Sequence, residues 1–172
     1  EGRPNDKALN LRGQAMEHYN TAGLVTSEAF DFKGNLLTAN RQLLKDYKLE
    51  VDWNVGPELE AEIFTTRTRY DALNRPVEIT QPKDSAVIFP VYNEANLLES
   101  VRARLNGASA DTVFVQNIDY NEKGQRTRIQ YGNNTQTAYT YEPETFRLSR
   151  LLTTGNNGAQ VLQDLNYTYD PS

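Results

Sequence analysis

Three short stretches of this chain carry residue types and spacings that also occur in metal or catalytic sites. The first, Asp119-Tyr120-Asn121-Glu122-Lys123-Gly124, has oxygen donors at positions one and three and a glycine at position six, as a calcium-binding loop does. Position five is Lys123, however, and position twelve is Gln130 instead of a bidentate glutamate. The stretch therefore predicts a turn and not a cation site.

The other two candidates, around His18 and over 58–62, have residue types that occur in catalytic sites. His18 is the only histidine, so a two-histidine metal site is impossible and a Ser-His-Asp triad would depend on a single candidate base. Glu58, Glu60 and Glu62 have the residue type of glycosidase carboxylates, but alternating acids on a polar connector are typical of a solvated surface. The sequence predicts no enzyme, no cofactor and no bound metal.

Composition limits the possible partners. The 172 residues carry a formal net charge of −5, and the basic residues are interleaved with acids, which argues against a nucleic-acid binder. There are no cysteines, and no apolar run approaches the roughly 18 residues that a membrane span needs. Ten tyrosines against one tryptophan favour a sheet that is buried on one face and exposed to solvent on the other, because tyrosine combines an apolar ring with a polar hydroxyl.

A recurring sequence motif, called the phrase below, indicates the elements that would position such residues. It consists of an aromatic residue, a short polar turn centred on Gly or Asn, and an alternating strand. Copies recur roughly every 20 to 28 residues, a period that fits one β-hairpin per unit. The predicted packing anchors are Tyr19, Phe30, Tyr70, Tyr92, Tyr120, Tyr141 and Tyr169. The predicted turn formers are Gly23, Gly34, Asn74, Asn96 and Gly124, since Asn tolerates positive φ nearly as Gly does.

Side-chain alternation predicts strands from residue 63 onward, with further turn signals at 106–107, 132–134 and 155–158. Residues 35–47 fit either an amphipathic helix or a strand, and we favour the strand because the preceding turn matches the repeat. Residues 56–62 fit an acidic connector or a single helical turn. The predicted fold is all-β, with consecutive antiparallel hairpins, less regular over 1–60 and clear over 61–172.

Several phrases resemble the YD repeats of the Rhs (rearrangement hot spot) family, namely Tyr70-Asp71-Ala72-Leu73-Asn74-Arg75, Ile118-Asp119-Tyr120-Asn121-Glu122-Lys123-Gly124 and Tyr167-Thr168-Tyr169-Asp170-Pro171. The flanking segments 10–14, 18–28 and 31–37 are similar to the Rhs-containing B/C components of bacterial insecticidal toxin complexes and to their SpvB-like relatives. The resemblance extends in order along nearly the whole chain.

This resemblance implies both a fold and a function. In that family, hairpins pair edge to edge into a curved strip that spirals into a hollow shell, and the shell encloses a toxic C-terminal cargo of the same polypeptide. It implies a secreted or cell-surface bacterial toxin component. Its partners would be the remaining repeats, the cargo and a translocating toxin component. The family's aspartyl-protease-like region would lie beyond Ser172, so no protease residues are assigned. The missing initiator Met and the truncated last phrase predict a piece of a longer polypeptide.

Two functions stay open at this stage. The tyrosines either layer on one another along successive hairpins, as in a structural repeat, or form an exposed face that binds carbohydrate or another protein. Tyr131 is a residue whose replacement by alanine would separate the two. For the isolated chain, unpaired strand edges predict self-association or domain swapping.

Overall fold

The computed structural model describes residues 4–48, 50–105 and 107–170. Within these residues the chain forms twelve β-strands and short 3-10 turns at Trp53–Val55, Pro82–Asp84 and Asn156–Gly158. The strands are β1 (Glu17–Asn20), β2 (Gly23–Phe30), β3 (Leu36–Leu43), β4 (Phe64–Tyr70), β5 (Pro76–Thr80), β6 (Ala86–Tyr92), β7 (Leu98–Leu105), β8 (Thr112–Tyr120), β9 (Arg126–Tyr131), β10 (Gln136–Tyr141), β11 (Leu148–Gly155) and β12 (Gln160–Asn166). No helix among the described residues is long and apolar enough to cross a membrane.

Strand order in the sheet is chain order, since each strand hydrogen-bonds to the next one along the chain from β1 to β12. The pairing is antiparallel, which confirms the predicted all-β fold of consecutive hairpins. The chain divides into two compact units, and the division falls inside β6, between Ile88 and Phe89. Asn106 of the predicted 106–107 turn and Pro171 of the last phrase lie outside the described residues.

In the first unit, the ambiguous segment 35–47 contains strand β3, so the helical alternative is wrong. The physical reason is the register with β2, where the segment gains a full ladder of backbone hydrogen bonds that outweighs weak helical periodicity. Residues 56–62 form no helix, and Leu59 instead bridges Leu44, which is almost completely buried. The Trp53 ring packs edge-on against Tyr19 of β1, with ring centroids 4.8 Å apart.

The N-terminal segment of the first unit covers the end of β2. The backbone N–H of Phe30 donates to the Leu9 carbonyl at 3.0 Å, and Asn10 Nδ2 donates to the Phe30 carbonyl at 2.9 Å. Leu11, in the same segment, is only 4% exposed. The backbone of Phe30, whose side chain is only 9% exposed, is therefore hydrogen-bonded to a segment that the repeat pattern did not include.

In the second unit the two faces of the sheet differ in chemistry. Ile118 of β8 lies opposite Ile129 of β9, and both are buried, as alternation along β9 predicts. The neighbouring pair, Asp119 and Arg128, lies on the opposite face and forms an ion pair at 2.8 Å. An exposed ion pair of this kind contributes about 0–1 kcal/mol, less than the burial of the two isoleucines on the other face.

Candidate functional site: the repeat turns

The repeated phrases lie where even-numbered strands end. The aromatic anchors that are the last residues of β2, β4, β6, β8 and β10 are Phe30, Tyr70, Tyr92, Tyr120 and Tyr141. Tyr19 lies within β1, one residue before its end, and Tyr169 follows β12 without belonging to it. Five anchors thus occupy the same position in successive hairpins, directly before the turn that leads to the next strand.

The turns after β2, β4, β6 and β8 share one backbone pattern. In the turn at 71–75, the N–H of Asp71 donates to the Arg75 carbonyl at 3.0 Å, and the N–H of Asn74 donates to the Asp71 carbonyl at 3.1 Å. The equivalent two bonds recur in the turns at 31–35, 93–97 and 121–125. The fourth residue of each turn has positive φ, with values of 87° at Gly34, 63° at Asn74, 69° at Asn96 and 75° at Gly124. This is a type I turn followed by a left-handed residue, a common hairpin connection.

The residue after the aromatic anchor holds the turn through its side chain. Asp71 Oδ1 accepts the backbone N–H groups of Leu73 and Arg75 at 2.8 and 3.1 Å. Asn121 Oδ1 accepts those of Lys123 and Gln125, both at 3.0 Å. An amide oxygen can replace the carboxylate here because both offer lone pairs in the same place. In the calcium-like stretch, the Asn121 oxygen is therefore engaged by the turn, and the Asp119 carboxylate by Asn117 and Arg128.

The residue after the aromatic anchor is charged in the copies that have Asp and neutral in those that have Asn. Arg75 Nε donates to Asp71 Oδ2 at 2.7 Å, and this bond is the main reason why the pKa of Asp71 lies below its ordinary value. In the turn at 31–35, the Asn35 side chain donates to Asp31 Oδ2 at 2.8 Å and lowers the pKa of Asp31 in the same way. Both aspartates are thus held in the charged form, in which they accept the turn's N–H groups best.

Tyrosine hydroxyls add a contact that reasoning from the sequence missed. Tyrosine hydroxyls of the second unit donate to backbone carbonyls in the pairs Tyr120–Leu98 at 2.6 Å, Tyr141–Arg126 at 2.8 Å and Tyr169–Leu148 at 2.8 Å. Each acceptor is the first residue of a neighbouring odd-numbered strand, namely β7, β9 or β11. We call these three contacts the hydroxyl latches. They tie successive hairpins of the second unit together, and the preference for Tyr over Phe in the phrase was the signal for them.

The first copy of the phrase departs from this geometry. Gly23, predicted as a turn former, is the first residue of β2 and pairs with Asn20 across a two-residue connection. Its φ is 147°, and a Cβ at this position would lie 2.0 Å from the Gln42 carbonyl oxygen of β3. Glycine is required here for two reasons, because the neighbouring strand passes so closely and because L side chains rarely adopt this φ.

The copy that begins at Tyr141 has a longer turn. The N–H of Glu142 donates to the Arg147 carbonyl at 2.8 Å, so the loop is one residue longer than in the other copies. Phe146 has a φ of 60°, which is costly for a bulky side chain. Its half-exposed ring faces Lys123 Nζ of the preceding turn at 3.6 Å from the ring centroid, a cation–π contact that offsets part of the cost.

The structure does not gather the residues considered for chemistry into one site. His18 is exposed on β1. Lys45 pairs with Glu58 at 2.8 Å and lowers the pKa of that carboxyl, whereas Lys83 pairs with Glu62 at 2.5 Å. In the residues that the structure describes, no group of three or more His, Asp or Glu side chains is arranged to hold a metal.

Comparison with known proteins relates this repeat geometry to toxin complexes. No family profile matches the chain. The chain is 35% identical to the toxin subunit YenC2 of Yersinia entomophaga over 98% of its own length. It is also 35% identical to YenC1 of the same organism over 96% of its length. The chain is related to a segment of toxin-complex subunits.

Solved structures agree in fold. The crystal structure of TcdB2-TccC3-Cdc42 superposes with a TM-score of 0.80 and 33% identity over 96% of this chain. The Photorhabdus luminescens Tc holotoxin pore superposes with a TM-score of 0.81 and 34% identity over the same 96% share. The chain spans 18% of each Yersinia subunit and 8% of each solved chain, so the likeness concerns one segment of much longer proteins.

Proposed function

We propose that this chain is a structural, non-catalytic repeat segment of a bacterial Rhs-type toxin, and that it forms part of the wall of a hollow β-shell around a toxic C-terminal cargo. The observation that carries the proposal is the strict chain-order succession of antiparallel strands, in which the turns after β2, β4, β6 and β8 share one hydrogen-bond pattern. The relationship to toxin-complex subunits along almost the entire chain supports it.

The physical chemistry of the sheet suits a wall. Each hairpin satisfies its backbone groups through its immediate neighbours, so stability grows by local terms and the sheet can be extended without a central core. The hydroxyl latches and side-chain-supported turns add hydrogen bonds at the hairpin boundaries. These are the properties that a continuous barrier needs.

The same proposal includes the family, the location and the partners of the parent protein. The chain would belong to the Rhs-containing B/C components and their SpvB-like relatives, and the parent protein would be secreted or displayed at the bacterial surface. Its partners would be the remaining repeats and the cargo of the parent polypeptide, together with a translocating toxin component. Neither a cofactor nor a metal takes part in this function.

A chimera tests the proposal. The matching segment of YenC2 is replaced by this chain, and protease cleavage of the C-terminal region is followed by mass spectrometry. We expect the C-terminal region to be protected as well as in unaltered YenC2, and to lose protection when the chimera carries Gly23→Ala, which forces β2 and β3 apart. A folded chimera whose C-terminal region is cleaved as fast as that region alone would refute the proposal.

A glycan array with the wild-type chain and Tyr131→Ala distinguishes the structural segment from the alternative, a carbohydrate-binding module. We expect no binding by either protein. Glycan binding that disappears in Tyr131→Ala would instead favour a module that binds carbohydrate through its tyrosines.

A further inference from the structure

The Phe146 ring in the second unit carries a cation on its face. Lys123 Nζ lies 3.6 Å from the ring centroid, which is van der Waals contact with the face of the ring. By comparison, Lys83 Nζ lies 5.4 Å from the centroid of the Phe64 ring. Lys123 is exposed on the turn at 121–125 and its side chain is long and flexible. Its ammonium group is therefore an internal ligand, which a cation from outside can displace.

The backbone holds the Phe146 ring in place. Phe146 has a φ of 60° and is 44% exposed, so burial in a core does not account for its ring. Its N–H donates to the Glu142 carbonyl at 2.9 Å, and Gln125 Nε2 donates to its carbonyl at 2.8 Å. Since these bonds fix the residue from two sides, a ligand on the ring pays little to order it.

The ring borders an open cleft between the turn at 121–125 and the loop at 142–147. The cleft has a volume of about 750 Å³, which lies in the range of small-molecule sites. Tyr120, Tyr141 and Pro143 add apolar surface to its lining. The hydroxyl latches of both tyrosines restrain the positions of their rings. The apolar part of the cleft is thus formed before any ligand arrives.

The charged groups of the cleft favour a cation. Glu122 and Glu142 line it together with Lys123. The Glu142 carboxylate accepts the hydroxyl of Thr145, which restrains its position. When the Lys123 ammonium leaves the ring, the carboxylates of Glu122 and Glu142 are the charged groups that remain in the lining. Carboxylates beside an aromatic face attract a cation and repel an anion.

The kind of cation follows from the competition with Lys123. A primary amine from solution would only repeat the contact that the tethered Lys123 already makes at high effective concentration. A quaternary ammonium instead brings methyl groups that contact the aromatic rings and Pro143. We propose that this cleft binds a trimethylammonium group, with Lys123 as a tethered competitor. The proposal requires neither a shell nor a cargo, so it goes beyond the proposed function.

A nuclear magnetic resonance titration of the full chain with choline at low ionic strength tests this assignment. We expect backbone amide shifts confined to 121–125 and 142–147. The expected Kd is about 1–10 mM, because the cleft is open and Lys123 competes. The control ligand is 3,3-dimethylbutan-1-ol, the uncharged isostere of choline, which should bind at least about tenfold more weakly because it lacks the charge.

Three variants with matched controls assign the residues. Phe146→Asn removes the ring but suits the left-handed backbone, so the chain stays folded and should lose at least about tenfold in choline affinity. Lys123→Ser removes the competitor and should bind choline about three- to sixfold more tightly. Its control is Lys33→Ser, at the same position of the turn at 31–35. Glu122→Gln should weaken binding about two- to threefold, and Glu94→Gln, at the same position of the turn at 93–97, should not.

Phosphatidylcholine vesicles form a second arm, since free choline and this lipid headgroup share the trimethylammonium group. Co-sedimentation that Phe146→Asn abolishes would assign the site to the headgroup, whereas choline binding without co-sedimentation would assign it to a small molecule. Equal binding of choline and its uncharged isostere, or no shifts in the two segments, would overturn the proposal. Unchanged choline affinity in Phe146→Asn or in Lys123→Ser would also overturn it. None of these outcomes bears on the protease protection of the chimera, so the two proposals fail separately.

Discussion

The hydroxyl latches make a stability prediction whose size follows from the structure. Tyr120, Tyr141 and Tyr169 each donate one hydrogen bond to a backbone carbonyl, at 2.6, 2.8 and 2.8 Å. Replacing each tyrosine by phenylalanine keeps the ring and removes only the O–H donor. A neutral hydrogen bond contributes about 0.5–1.5 kcal/mol net. The acceptors lie at strand starts within reach of water, so we expect about 0.5–1 kcal/mol for each latch.

The three latches share no donor or acceptor, and their effects should therefore add. The triple variant is expected to lose about 1.5–3 kcal/mol of unfolding free energy. For a protein of this size, that loss lowers Tm by about 3–12 °C. Urea unfolding followed by far-ultraviolet circular dichroism measures the free energy, and a thermal scan measures Tm.

Tyr131→Phe is the matched control, because Tyr131 forms no hydroxyl latch in the part of the chain that the structure describes. We expect its stability to equal that of the wild type. The reasoning fails if the triple variant unfolds at the wild-type urea concentration. It also fails if Tyr131→Phe costs as much as Tyr141→Phe, since the loss would then reflect tyrosine in general.

Three further predictions concern the turns. Gly23→Ala should cost about 3 kcal/mol or more in urea unfolding, because the new methyl group would overlap the backbone of β3; an unchanged midpoint would contradict the close approach. The folded-state pKa of Asp71 is depressed, so its contribution to stability is present above its unfolded pKa and is lost as pH falls through its folded pKa. Asp71→Asn should therefore flatten the acidic part of the curve of unfolding free energy against pH. An unaltered curve would count against the role assigned to Asp71. Lys83 and Asp84 both have positive φ, at 60° and 50°. The double variant Lys83→Asn with Asp84→Gly should therefore raise the free energy of unfolding, measured in urea, by about 1 kcal/mol. A lower free energy of unfolding would show that the side-chain contacts of the two residues outweigh the backbone cost.

The turns could be predicted from the sequence because their chemistry is local. An Asp or Asn after the aromatic residue can reach the N–H groups two and four positions ahead without help from the rest of the fold. Gly or Asn at the fourth position is needed for the same local reason, namely the left-handed backbone. Period-two alternation likewise identified β4 and β9 without knowledge of their neighbours.

Long-range partners could not be predicted in the same way. The acceptor of the Tyr120 hydroxyl is Leu98, which the phrase does not contain, and one reason for glycine at position 23 is the nearby backbone of β3. The segment that hydrogen-bonds to Phe30 and the Trp53 ring that packs against Tyr19 both lie outside the repeat pattern. Strand pairing depends on what lies across the ladder, and a single strand's sequence carries only part of that information.

The sequence by itself therefore determined the all-β class, the succession of hairpins and the residues that shape the turns at 31–35, 71–75, 93–97 and 121–125, because these depend on contacts within a few residues. Only the tertiary structure decided which hairpins are tied together by tyrosine hydroxyls and where a glycine is required by a neighbouring strand. These features depend on the register between strands, which the packed sheet sets as a whole.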